Sequence, residues 1–128
     1  MTGIATALLA GLLFGPDAPR DGLVTLRWEA RPILVFAADE DPRLARQIAL
    51  LEAAEAELLA RDNVVIIDTE PGSPLRARFL PADFTVILIG TDGGEKLRRH
   101  RVVVPDELNE LIDTMPMRRR EMERASQG

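Results

Sequence analysis

Three short apolar runs set the architecture: PILVFA at 32–37, VVII at 64–67 and FTVILI at 84–89. They are largely continuous rather than alternating, so each is expected to be a strand covered on both faces. Covering both faces needs a helical layer on each side. Between the first two runs, Asp41-Pro42 opens a helix. The aspartate accepts from free first-turn amides, and proline's fixed φ suits that turn. Leu44, Ile48, Leu51 and Leu58 recur at helical spacing as the buried stripe, and Arg61-Asp62-Asn63 ends the segment. Strand, helix and strand then make a parallel unit with a right-handed crossover.

Past the second run, Pro71-Gly72 turns the chain. Ser73-Pro74 starts a short helix from Pro74 to Leu80, which Pro81 stops. Asp92-Gly93-Gly94 is expected to be a hairpin turn, with residues 95–103 returning as a charged edge strand. Pro105-Asp106-Glu107 opens a last helix with Leu108, Leu111 and Ile112 on its apolar face. Pro116 interrupts it, and Thr114 is expected to cap a second segment from Met115 to about Ala125. The order β-α-β-α-β-β-α, with an antiparallel final hairpin, describes an α/β fold: a thioredoxin-like three-layer sandwich with a mixed sheet.

The domain is read as residues 22–125, with 126–128 a frayed tail. Residues 1–21 stand apart, since the first 16 carry no charged side chain and GPDAPRDG breaks the segment off as a linker. An apolar core of about a dozen residues is too short to span a membrane and suits an export signal. A short helix docked on the domain is the alternative.

Composition excludes several chemistries. The chain has no cysteine, which removes disulfides, thiol catalysis and thiolate metal sites. Its single histidine, His100, lies in the charged stretch LRRHR and reads as a solvated strand residue. The net charge of −5 argues against nucleic-acid binding through phosphate neutralisation, and the scarcity of aromatics argues against base stacking. No cofactor is expected.

The words LRWEARPILVFA, ARDNVVII, FTVILIGTDGGEKLR and LIDTMPMRRREM, with Gln47 in the helix between the first two, carry a resemblance over roughly residues 22–124. Together they resemble a bacterial domain-of-unknown-function family related to a domain of vertebrate sushi-repeat-containing extracellular matrix proteins. The resemblance implies a thioredoxin-like fold, kinship with peroxiredoxins and export from the cell, but no reaction. Where that family usually has lysine in the hairpin word, this chain has Thr91. In thioredoxin-like enzymes the corner after the first buried strand offers helix amides to a thiolate. Here it reads Ala38-Asp39-Glu40-Asp41, so it is expected to be capped by carboxylate and redox-inert. As a divalent-cation site the three consecutive acids lack the spacing of a calcium loop.

Candidate binding residues remain. Arg118, Arg119 and Arg120, with Arg124, could grip a carboxylate or phosphate, or form a solvated face balanced by Glu121 and Glu123. Met115, Met117 and Met122 read as core packing. Trp28 reads as a partly buried lid. Arg31 is expected to pair with an acid such as Asp113, or to face a site with Gln47 and Lys96. The favoured function is a non-enzymatic module binding a protein or matrix partner, periplasmic or secreted. The alternatives are a cell-envelope enzyme, a small-ligand binder or a cytoplasmic role.

Overall fold

The computed structural model describes residues 23 and 26–127; the apolar segment 1–21 and its linker lie outside the described residues. The elements are β1 (Arg31–Phe36), α1 (Pro42–Ala53), α2 (Glu55–Ala60), β2 (Asn63–Asp68), α3 (Pro74–Phe79), β3 (Thr85–Ile89), β4 (Glu95–Arg99), α4 (Pro105–Asp113) and α5 (Pro116–Gln127). The strands form one mixed sheet in the order β2-β1-β3-β4. β1 pairs in parallel with β2 and antiparallel with β3, and β3 pairs antiparallel with β4.

The strand pleat sorts the apolar runs onto two faces. Ile33, Val35, Val65, Ile67, Val86 and Leu88 pack with Leu44, Leu51, Leu58, Leu108 and Ile112, from α1, α2 and α4. On the other face Leu34, Phe36, Ile66, Ile87 and Ile89 meet Leu23 and Leu26, and Leu75 and Phe79 of α3. This is the expected sandwich, with both faces of the central strands buried. It agrees with a thioredoxin-like arrangement.

The local signals act as their chemistry dictates. Asp41 accepts from the backbone N–H of Arg43 at 2.9 Å, and Pro42 begins α1. Ser73 Oγ accepts from Arg76 N at 3.1 Å, and Pro74 begins α3. In the hairpin Gly93 adopts φ +86°, which favours glycine, while Gly90 N donates to Gly94 O at 2.9 Å.

Four details differ from the sequence reading. The helix expected from Pro42 to the Arg61 region breaks at Ala54 (φ −109°, ψ 24°) into α1 and α2, which leaves Leu58 buried. The edge strand ends at Arg99 rather than near residue 103. Beyond it, the backbone N–H and C=O of Val103 bond to the Gln47 amide instead of to a neighbouring strand. Thr114 does not cap α5: its hydroxyl donates to Leu111 O at 2.6 Å and closes the end of α4. Helix α5 starts at Pro116 and runs to Gln127, past the expected end at Ala125.

Candidate functional site

The acidic corner Asp39-Glu40-Asp41 lies where β1 runs into α1. Asp39 and Glu40 are exposed there. Asp41 is fully engaged. Beyond its helix cap, its two oxygens accept from Arg43 Nε at 3.0 Å and Arg43 Nη2 at 2.7 Å. Arg43 also reaches Asp83 Oδ2 at 3.2 Å and lies 5.0 Å over the Phe84 ring, which joins the corner to the start of β3. These hydrogen bonds from Arg43 hold the Asp41 and Asp83 carboxyls below their usual range. The first-turn amide, the carboxylate and the guanidinium thus satisfy one another. Among the described residues no group of three His, Asp or Glu side chains is arranged to hold a metal ion.

Beside this corner lies a cluster that sequence reading missed. Asp68, at the end of β2, accepts from Ser73 Oγ at 2.5 Å and from Glu70 N at 2.9 Å. Arg76 Nη2 donates to Ala37 O and Asp68 O at 3.0 and 3.1 Å, and its guanidinium sits 5.7 Å over Phe36. One arginine therefore ties the ends of β1 and β2 to α3. An aspartate ending a strand five residues before a serine N-cap is the signal that could have exposed it.

Gln47 is wholly buried in α1. Its Nε2 donates to Val103 O and its Oε1 accepts from Val103 N, both at 2.8 Å. The amide clamps the segment leaving β4 onto α1 and uses its main donor and acceptor in doing so.

Arg31, only 1% exposed at the start of β1, has Glu121 of α5 as its acid partner, not the Asp113 expected. Its Nη2 reaches Glu121 Oε2 at 3.1 Å, and Nη1 donates to Arg61 O at 3.0 Å. Asp113 is instead taken by Arg61, at 2.8 and 3.0 Å, and by Arg118 at 3.4 Å. Arg118 also donates to Ala60 O at 3.0 Å and lies 3.4 Å from Glu121. Three arginines and two acids thus form a latch holding α5 against the α2–β2 junction and β1.

The run Arg118-Arg119-Arg120 therefore divides. Arg118 and Glu121, one turn apart, point inward. Its side chain is only 14% exposed, whereas Arg119 and Arg120 face solvent. Lys96 lies at the hairpin, paired with Asp92 at 3.0 Å. Gln47 is committed to Val103 and Arg31 to Glu121, so among the described contacts no shared site joins Arg31, Gln47 and Lys96.

Trp28 is 58% exposed rather than a partly buried lid, and its backbone sits at φ +71°. For a bulky side chain that is an outlier costing on the order of 1–3 kcal/mol. A hydrogen bond from Trp28 N to Thr91 O, at 2.6 Å, helps to hold it. The Thr91 hydroxyl in turn donates to Met117 S at 3.3 Å, and Met117 is 37% exposed rather than core. Trp28 and Met117 thus flank one buried threonine, and Arg120 stands one turn along α5 from Met117.

The latch makes a pH prediction. The hydrogen bonds from Arg61 hold Asp113 below its usual value against the opposing effect of burial. For Glu121, burial acts upward but is outweighed by Arg31 and Arg118, so its carboxyl is also lowered. Both contribute stability above their unfolded values that is lost as pH falls through the folded ones. The melting temperature is expected to fall below about pH 4.5. A variant with both Asp113→Asn and Glu121→Gln should start lower at pH 7 and fall less steeply. Parallel pH profiles for the two proteins would contradict this.

A family described as a domain of unknown function, DUF4174, matches residues 22–121. No curated protein matches the chain.

Proposed function

We propose that this chain, which belongs to the DUF4174 family, is a redox-inactive thioredoxin-like module that binds a protein or matrix partner in the cell envelope or outside the cell. The carrying observation is the corner after β1. Where a thioredoxin-like enzyme would offer helix amides to a nucleophile, Asp41 caps the helix and Arg43 binds both its oxygens. The chain has no cysteine to place there.

The proposed partner surface is centred on Trp28, Met117 and Arg120, with Arg119 extending it round the exposed side of α5. It combines an exposed indole on a strained backbone, a flexible thioether and two solvent-facing guanidinium groups, residue types enriched where binding energy concentrates. Kinship with the sushi-repeat extracellular domain, and residues 1–21 as an export signal, belong to the same proposal.

The alternative of an enzyme is separated by assay. The purified domain, incubated with hydrogen peroxide or with a protein disulfide and reductant, is expected to give no turnover above the buffer rate. Protein-dependent turnover would overturn redox inertness.

A further inference from the structure

A cleft of about 240 Å³ opens on the α3 side of the sheet, lined by Leu23, Arg27, Arg78, Asp92, Gly93 and Gly94. It joins three separate pieces of chain: the segment before β1, helix α3 and the β3–β4 hairpin. Two of its six residues are arginines, both exposed. Neither has an acidic partner among the described residues, unlike Arg31, Arg43, Arg61 and Arg118. Each rests on an aromatic ring instead, Arg27 at 5.6 Å over Trp28 and Arg78 at 4.9 Å over Phe79. Such stacking restrains a guanidinium while leaving its in-plane N–H donors open.

The one acid in the lining already has a cationic partner. Asp92 accepts from Gly94 N at 2.9 Å and from Lys96 Nζ at 3.0 Å. The Gly93 and Gly94 amides are likewise occupied, Gly93 N donating to Gly90 O. The unused polar capacity of the cleft is therefore two guanidinium groups, with Leu23 as an apolar wall.

We propose that this cleft binds a small organic anion through Arg27 and Arg78, the shared chemistry being a carboxylate or phosphate group with a short apolar portion against Leu23. Guanidinium groups bind both anions in bidentate fashion. The cleft is smaller than a typical drug-sized pocket, which limits the occupant to a compact molecule.

The chain carries its own reporter. Trp28 is its single tryptophan and there is no tyrosine, so indole emission comes from one ring, with Arg27 stacked on it. The test titrates the whole chain with succinate, with inorganic phosphate, and with chloride at matched ionic strength, reading emission and, in parallel, heat by calorimetry. Succinate or phosphate is expected to saturate both signals where chloride does not, and the tighter of the two identifies the preferred group. Arg78→Ala leaves Trp28 and Arg27 in place and should weaken binding at least about tenfold, the scale of one lost charge-assisted contact. Arg78→Gln serves the same purpose if the alanine variant does not fold. No saturable signal with either anion up to about 10 mM, an affinity of only about 3 kcal/mol, would overturn the proposal. So would binding unchanged by removal of Arg78.

Discussion

Arg31→Ala is expected to lower the unfolding free energy by about 3 kcal/mol, since breaking a buried ion pair from one side costs roughly 3–5 kcal/mol. The lower end applies because the stranded partner, Glu121, keeps 26% of its side chain in water. The substitution also removes the donor to Arg61 O and leaves a cavity where β1 meets β2. Urea denaturation measures the loss. A cycle with Glu121→Gln should show coupling above about 0.5 kcal/mol, the threshold beyond which two sites are not independent. A loss under about 1 kcal/mol would mean that α5 is not fastened through this arginine, because that is the worth of an ordinary exposed pair.

The second large effect belongs to Gln47. Gln47→Ala strands the N–H and the C=O of Val103 inside the fold, and each buried orphan costs about 1–3 kcal/mol. With the space left by the side chain, the total is expected near 3–4 kcal/mol. Gln47→Glu is the sharper variant. The introduced carboxylate can still accept from Val103 N but cannot donate to Val103 O. Buried, its folded pKa lies above the unfolded value, so the loss grows as pH rises through the carboxylate range and shrinks at acid pH. Equal destabilisation at pH 4 and pH 7 would show that the Gln47 amide is not a two-way clamp on Val103.

The strands were legible because PILVFA, VVII and FTVILI are apolar throughout, and only a sheet covered on both faces buries such runs. The caps at Asp41 and Ser73 were equally plain, since capping needs only neighbours in sequence. Features fixed by distant partners were not. Val102-Val103 reads as strand, yet the backbone of Val103 belongs to Gln47, 56 positions away. Arg31 had two acids to choose between, and the geometry of α5 decided for Glu121, 90 positions away. The break at Ala54 carries neither glycine nor proline to announce it.

At the candidate site, the acidic corner and its Asp41 cap were visible in the sequence, and the arginine run was visible as a run. Its division into an inward Arg118 and outward Arg119 and Arg120 needed the phase of α5. The i, i+3 spacing of Arg118 and Glu121 was the available signal. Trp28 was misplaced as a partly buried lid: it is exposed, on a positive φ that sequence does not favour for a bulky residue.

The binding reading is tested most directly by capture of the tagged protein from its own cells after mild crosslinking, with the Arg119→Ala, Arg120→Ala double variant run beside it. Both substitutions are on exposed positions, so stability should stay within about 0.5 kcal/mol. A specific partner bound by the unaltered chain and lost from the folded variant is the expected result. No specific partner, or one retained equally by both proteins, would contradict the surface assigned to α5.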